Sequence, residues 1–168
     1  MPPAPLMLAV MLFSACSPAP EPTRTPTPAF ASEEEAFTAA KETYAAYMEA
    51  GNARIAGASS PNPQDFLIGA ALEADVDGVR FLREQGLHLT GTGALAAFTG
   101  VEVDQAGGHA SVIAIACLDT TGVRVIDAAG SDVTPPDRKE VVAQLVEFVG
   151  EGGKLQITAE SDAEDDEC

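Results

Sequence analysis

The chain's closest match to a metal-binding pattern is an acidic run that begins at Glu73. It follows the spacing of an EF-hand calcium loop, with a glycine at Gly78 and oxygen ligands at Glu73, Asp75, Asp77 and Glu84. Gly86 comes two residues after the last ligand position, so the helix that must leave such a loop cannot form. The acidic residues are therefore predicted to begin a helix over residues 75–85, and no metal ion is predicted.

Nucleophilic and cofactor chemistry lack a suitable set of residues. Ser111, His109 and Asp104 have the residue types of a catalytic triad, but a serine and a histidine two residues apart on a strand cannot bring hydroxyl and imidazole together. Gly91 and Gly93 have part of the spacing of a dinucleotide-binding loop, but no long helix follows them. They are predicted to form a turn between strands. The sequence thus predicts no catalytic residue and no cofactor.

The first sixteen residues have the features of an export signal. Residues 6–13 are an apolar run of eight, too short to span a bilayer and the right length for the core of a signal peptide. The small residues Ser14 and Ala15 precede Cys16, and this stretch resembles the lipobox of bacterial lipoproteins, in which the cysteine thiol receives a diacylglycerol. The sequence predicts a lipoprotein signal peptide over residues 1–15 and lipidation of Cys16.

The segment after Cys16 is predicted to be a spacer. Residues 17–29 contain five prolines, which stiffen the chain toward polyproline II. We expect residues 16–31 to hold a domain of residues 32–168 away from the membrane. Two acyl chains are enough for stable anchoring, so the expected location is the outer face of the bacterial cytoplasmic membrane.

The two remaining cysteines, Cys117 and Cys168, are predicted to form a disulfide. An exported chain enters a compartment that permits disulfides, and a free thiol at the end of an acidic tail would be unusual. The bridge would close about 52 residues, worth about 4 kcal/mol on the chain-entropy model. The acidic run from Glu160 to the C-terminus is predicted to be solvated, with weak cation binding as the alternative.

Composition excludes several classes of partner. The chain has 9 Lys and Arg against 26 Asp and Glu, a net charge of −17, so it lacks the basic face that a nucleic-acid backbone requires. Aromatic residues are 5% with no tryptophan, which argues against stacking on single-stranded bases. At 46% apolar residues, the chain can form a folded core. We expect one globular domain and no nucleic-acid partner.

Three helices are predicted before the strands. The first opens at a capping box formed by Ser32 and Glu35 and ends at Gly51 and Asn52. Its inward face is predicted to carry Phe37, Ala40, Tyr44, Tyr47 and Met48. Pro63 opens a short second helix. The third, residues 75–85, is predicted to face the core with Val76, Val79 and Leu82.

After Gly86 the hydrophobic period changes to two. Six strands are predicted, over residues 87–90, 95–103, 110–119, 122–128, 140–149 and 155–159. The strand 110–119 is apolar on both faces and is therefore predicted to lie centrally in the sheet. Helices followed by antiparallel strands predict an α+β fold with the helices on one face.

This order of elements resembles the NTF2-like cone fold, and more narrowly the NTF2-like lipoproteins of actinobacteria. The resemblance covers about residues 33–168 and rests on the lipobox, the spacer, residues 44–47, Thr90-Gly91, residues 117–119, the turn 134–138 and the terminal cysteine. It implies a cone of three N-terminal helices packed on a curved antiparallel sheet of about six strands. Members of this lipoprotein group have no established activity.

The resemblance also implies a pocket, because enzymes with this fold place carboxylates and tyrosines inside the cone. The residues implied to line it are Phe37, Tyr44, Tyr47, Phe66 and Asp119. Asp119 beside a tyrosine could act as a general base if burial raised its pKa. The alternative is that both tyrosines pack in the core and Asp119 ends a strand.

The expected function is that of a non-enzymatic binding or assembly module on the membrane surface. We expect contact with a second copy or another protein through the sheet, between residues 110 and 128. Two alternatives stay open. One is a carrier that holds a small apolar ligand in the cone pocket. The other is an isomerase- or dehydratase-like enzyme that uses Asp119 and a tyrosine.

Overall fold

The computed structural model describes residues 27–168, except for the side chain of Asp165. The predicted signal peptide, the lipidation site Cys16 and residues 16–26 of the spacer lie outside the described residues. The helical elements are α1 (Glu33–Ile55), α2 (Gly69–Glu84) and two short 3-10 turns (Pro63–Phe66 and Asp165–Glu167). The strands are β1 (His88–Thr90), β2 (Ala94–Ala106), β3 (His109–Asp119), β4 (Arg124–Ile126), β5 (Val141–Glu151) and β6 (Lys154–Asp162).

The fold is α+β as predicted, but residues 27–168 contain two α-helices rather than three. The short second helix opened by Pro63 is a single 3-10 turn. It stops because Leu67 has extended backbone angles and forms a parallel bridge with Ile157 of β6. Pairing of Leu67 with the edge strand β6 thus ends the 3-10 turn before a second helical turn can form.

Helix α1 begins as predicted, with the Ser32 hydroxyl accepting a hydrogen bond from the Glu35 backbone N–H. Its predicted end at Gly51 and Asn52 is wrong, because the helix continues to Ile55. Asn52 is held instead by tertiary contacts: its amide donates to the carbonyl of Gly93 and accepts from the Gly93 N–H, each at 2.9 Å. Gly51 is tolerated inside α1 because the flanking helical turns and the contacts of Asn52 with Gly93 keep this part of the helix in place.

Helix α2 begins at Gly69, earlier than predicted, so the acidic run with the spacing of a calcium loop lies within a continuous helix. Val76 and Val79 do not face the core as predicted, since they are 44% and 41% exposed. The helix contacts the edge strand β6 and buries Ala71 in its first turn. Its later turns contribute no buried residue and also expose Phe81.

The six predicted strands form two sheets rather than one. Strands β2, β3, β5 and β6 make a four-stranded antiparallel sheet in the order β2-β3-β5-β6, and β1 pairs with β4 in a separate ribbon. The central position predicted for β3 is confirmed. Two register shifts in β2 and one between β5 and β6 bend the sheet, because bulges increase local twist. The sheet therefore curves around α1.

The core lies between α1 and the concave face of the sheet. Its fully buried members include Ala36, Ala40 and Tyr44 from α1 and Val112, Ala114, Ala116, Val146, Phe148 and Ile157 from the sheet. Phe37 packs over Gly100, where a Cβ would overlap the phenyl ring. The predicted inward face of α1 is therefore confirmed, since Ala40 and Tyr44 are buried and Phe37, Tyr47 and Met48 pack against the core.

The predicted disulfide between Cys117 and Cys168 is confirmed, with a Cα–Cα distance of 5.7 Å. Cys117 follows Ala116 in β3 and so points to the convex face, away from α1. The C-terminal segment continues alongside β5 through a hydrogen bond from the Ala163 N–H to the Ala143 carbonyl. It covers one end of the convex face. Among residues 27–168, no helix has the length and hydropathy needed to cross a bilayer.

Candidate functional site

The most unusual polar group of the interior is the carboxylate of Glu160 in β6. The Tyr44 hydroxyl donates a hydrogen bond to its Oε1 at 2.8 Å, and the Tyr47 hydroxyl donates to its Oε2 at 3.4 Å. Tyr44 is fully buried, and Tyr47 and Glu160 are half-buried. Both carboxylate oxygens are thus occupied by tyrosines that α1 presents at helical spacing.

The register of β6 explains why Glu160 faces inward. Leu155 and Ile157 are buried, and strict alternation from them would place Glu160 on the convex face. A register shift of one residue lies opposite Glu147 and Phe148, and beyond it Glu160 pairs with the buried Val146. The prediction that Glu160 belongs to a solvated acidic tail is therefore wrong. No sequence signal marks the bulge.

The surroundings of Glu160 shift the pKa of all three groups. Burial raises the pKa of Glu160 above its ordinary value, with a contribution from the negative charge of Asp75, although hydrogen bonds from the tyrosines oppose this. Burial, followed by the charge of Glu160, raises the pKa of both Tyr44 and Tyr47. The phenolic protons therefore stay on the tyrosines, and Glu160 acts as the acceptor.

A second polar cluster adjoins this one and joins α1 to α2. The guanidinium of Arg54 donates to both oxygens of Asp75, at 2.9 and 2.6 Å, and the amide of Gln64 donates to the same carboxylate at 3.0 Å. The Asp75 side chain is only 7% exposed. Burial alone would raise the pKa of Asp75, but the hydrogen bonds from Arg54 and Gln64 lower it. The charge is thus neutralised within the molecule.

Aromatic rings close the interior around the Tyr44 side chain. Its ring centroid lies 5.6 Å from that of Tyr47, 6.2 Å from that of Phe98 and 6.3 Å from that of Phe148. Phe98 and Phe148 also contact each other edge to face at 6.2 Å. Such distances are those of packed aromatic pairs, so the rings occupy the space where a cone pocket is expected.

The five residues implied to line one pocket lie in different places. Tyr44 is enclosed in the core, Phe37 borders a shallow cleft between α1 and β2, and Phe66 borders another cleft beside β6. Tyr47 and Asp119 do share a cavity, of about 180 Å³, at the C-terminal end of α1. The structure therefore places Tyr47 beside both Tyr44, through ring contact, and Asp119, through the shared cavity, while Phe37 and Phe66 border other clefts.

Asp119 ends β3 and makes local hydrogen bonds. Its Oδ1 accepts from the Thr121 N–H at 2.9 Å and from the Thr121 hydroxyl at 2.6 Å. These bonds lower the pKa of Asp119 instead of raising it. The buried carboxylate beside a tyrosine, which the sequence suggested at Asp119, is found at Glu160.

The residues considered for a triad lie together but exposed. Ser111 and Asp104 are register partners on β3 and β2, and His109 lies at the start of β3. His109 and Ser111 are two residues apart on β3, and all three residues are exposed. In the described part of the chain, no group of three or more His, Cys, Asp or Glu side chains is arranged to hold a metal ion.

No protein-family profile matches the chain, and no curated protein matches its sequence. Among solved structures, its fold is similar to the intermembrane space region of the chloroplast protein ARC6, with a TM-score of 0.52 and 15% identity over 75% of this chain and 95% of that chain. Aln2 from a Streptomyces species aligns with a TM-score of 0.43 and 18% identity over 85% of this chain and 96% of that chain. At 15% identity, the likeness to the ARC6 region shows the fold alone.

Proposed function

We propose that this chain is an extracytoplasmic lipoprotein whose NTF2-like domain serves as a non-catalytic binding or assembly module. Lipidated Cys16 would hold it at the outer face of the bacterial cytoplasmic membrane, with residues 16–31 as the spacer. The residues that support anchoring are the apolar run 6–13 and the small residues before Cys16. The α+β order of elements, with a curved sheet around α1, supports the NTF2-like domain.

The observation that supports the non-catalytic part is that the half-buried Glu160 carboxylate already has hydrogen-bond partners within the protein. Both of its oxygens accept hydrogen bonds from tyrosines, and the ring of one of them, Tyr44, packs against Phe148. An acid or base must reach a reacting atom at hydrogen-bond distance. Glu160 is instead used to connect β6 to α1, which is a structural role.

The convex face of the sheet is the proposed contact surface. Ile113, Leu145 and Val149 alternate with the inward core residues of β3 and β5 and therefore point away from α1. They are half-buried, and the C-terminal segment covers only the end near Cys117. Partially exposed aliphatic side chains on a sheet can bury further area against a second copy or a protein partner.

Photo-crosslinking on native membranes tests the binding role. A benzophenone amino acid is placed at Thr99 or Glu147, which are exposed on the convex face, and at Glu73 on α2 as the matched control. We expect discrete crosslinked products from the first two positions and none from the control. Absence of products at Thr99 and Glu147, or equal products at all three positions, would contradict the proposed surface.

A second candidate function is carriage of a small apolar ligand, which the cavity of about 180 Å³ beside Tyr47 favours. The isomerase- or dehydratase-like alternative depends on Asp119 as a base. A lowered pKa makes the Asp119 carboxylate a weaker base, so this alternative has less support than the other two.

A further inference from the structure

A cavity of about 180 Å³ lies outside the filled interior, between the last turns of α1 and the loops that lead into β2 and β4. We refer to it as the end cavity. Its lining includes the side chains of Tyr47, Met48, Leu89, Leu118 and Val123 and the backbone of Gly51. The lining is therefore mostly aliphatic and aromatic, and it is contributed by three separate segments of the chain, residues 47–55, 89–93 and 118–123.

Gly51 explains why the space exists. Tyr44, Met48, Gly51 and Ile55 follow one another at helical spacing on one stripe of α1, and Gly51 alone lacks a side chain. A glycine inside a helix is about 1 kcal/mol less favourable than alanine. A Cβ at Gly51 would meet no atom within 4 Å, so no close backbone contact requires the glycine. Glycine at position 51 thus makes α1 less stable than alanine would, and because it has no side chain the end cavity stays empty of protein.

The walls of the end cavity are fixed by backbone contacts. Asn52 holds Gly93 through two hydrogen bonds of 2.9 Å, which fixes the β1–β2 turn against α1. The backbones at Gly91 and Gly122 approach so closely that a Cβ at Gly91 would overlap the Gly122 carbonyl. This contact joins the β1–β2 turn to the β3–β4 turn. The end cavity is therefore preformed, which reduces the ordering required when a ligand binds.

The charged and phenolic groups at its border already have partners within the protein. Tyr47 donates to Glu160, Arg54 is paired with both oxygens of Asp75, and Asp119 accepts from Thr121. A charged ligand would have to break one of these pairs, whereas an uncharged apolar ligand would replace only water against aliphatic walls. The lining thus selects against ions.

We propose that the end cavity binds an uncharged hydrocarbon group about the size of one aromatic ring, or a branched chain of about six carbons. A preformed apolar cavity of roughly this volume, about 150 Å³ in the best-studied case, binds benzene. The inference rests on the carrier candidate, and it places the ligand at the end of α1 rather than among Phe37, Tyr44 and Phe66.

Toluene and benzoate provide the test, because they share a ring and differ in charge. The protein is the full-length chain with Cys16→Ser and an intact disulfide, labelled at the methionine methyl groups. Met48 lines the end cavity, whereas Met1, Met7 and Met11 lie outside the described residues. We expect toluene to shift the methyl signal that Met48→Leu abolishes, and benzoate at the same concentration to leave it unchanged. Toluene should also raise the Tm by about 3 °C near saturation.

Two glycine variants form a matched pair. Gly51→Leu adds a side chain into the end cavity, while Gly78→Leu makes the same change on the exposed surface of α2, where a Cβ also meets nothing within 4 Å. We expect Gly51→Leu to abolish the effect of toluene on the Tm and Gly78→Leu to keep it. Gly51→Ala, the smaller change, should fold in any case and weaken toluene binding.

Three results would overturn the inference: no shift at Met48 with toluene, an equal shift with benzoate, or unchanged toluene binding in Gly51→Leu. Each of them would leave membrane anchoring and the convex-face contacts untouched, because those are measured by crosslinking on native membranes. Failure of the ligand site is therefore distinguishable from failure of the proposed binding module.

Discussion

Tyr44 and Glu160 are 116 residues apart in the sequence, and the Tyr44 hydroxyl donates a 2.8 Å hydrogen bond to the Glu160 carboxylate. The bond joins the middle of α1 to the last strand of the sheet. The Tyr44 side chain is fully buried and packs against the fully buried Phe148 ring, whereas Glu160 is half-buried. The hydrogen bond therefore gives the Glu160 carboxylate a structural role, which is to connect β6 to α1.

Tyr44→Phe should therefore lower the free energy of unfolding by about 2 kcal/mol, because it removes a buried hydrogen bond to a carboxylate. Tyr47→Phe is the matched variant and should lower it by less than about 1 kcal/mol, since its bond is 3.4 Å long and half-exposed. Urea denaturation measures both. An equal or larger effect at Tyr47 would contradict the geometry.

Glu160→Gln should change how stability depends on pH. Burial raises the pKa of Glu160 above its ordinary value of 4.5, so the folded chain favours the protonated carboxyl. The resulting stabilisation is complete below pH 4.5 and is lost as the pH rises through the raised pKa. Relative to the variant, the parent should therefore lose stability as the pH rises from below 4.5 through the raised pKa of Glu160.

Urea denaturation of parent and Glu160→Gln across this range provides the measurement, because all other carboxylates are common to both proteins. A difference in unfolding free energy that stays constant with pH would show that Glu160 titrates normally. If the unfolding free energy of the parent instead increased relative to that of Glu160→Gln as the pH rises, the pKa of Glu160 would be lowered rather than raised.

Arg54→Met should destabilise the chain by about 2 kcal/mol, because it leaves the Asp75 carboxylate, 7% exposed, with only the Gln64 amide as partner. Arg80→Met is the control. Its ion pair with Asp77 is exposed on both sides, 54% and 63%, and its removal should change stability by less than about 0.5 kcal/mol. Thermal denaturation at moderate salt compares them. Similar losses in the two variants would contradict the structural role of Asp75.

Removing the Cys117–Cys168 bridge should lower the free energy of unfolding by up to about 4 kcal/mol, because the bridge closes a loop with a sequence separation of 51. The double variant Cys117→Ala/Cys168→Ala and the reduced parent should unfold at the same urea concentration. Retention of the oxidised parent's midpoint in the double variant would show that the bridge does not constrain the unfolded chain.

The sequence predicts much of this fold because its signals are local. Period-two patterns locate all six strands, and the capping box at Ser32 and Glu35 locates the start of α1. The disulfide follows from counting cysteines. These features need no knowledge of which elements meet in space.

The sequence does not predict features that depend on strand register or on pairing at the edge of the sheet. Glu160 faces inward because of one bulge in β6, and Leu67 ends the 3-10 turn because it bridges to Ile157. Val76 and Val79 have helical spacing but stay exposed, because α2 contributes a buried residue from its first turn and none from its later turns. Each error arises from a tertiary contact that has no local sequence signal.

The measurement that tests the proposed lipoprotein most directly is the intact mass of the protein recovered from its native membrane fraction, with sequencing of its N-terminal peptide. We expect a mature chain that begins at Cys16 and carries a diacylglycerol on that thiol, and we expect Cys16→Ser to release the protein into the soluble fraction. A mature chain that retains residues 1–15, or that carries a free thiol at Cys16, would contradict it.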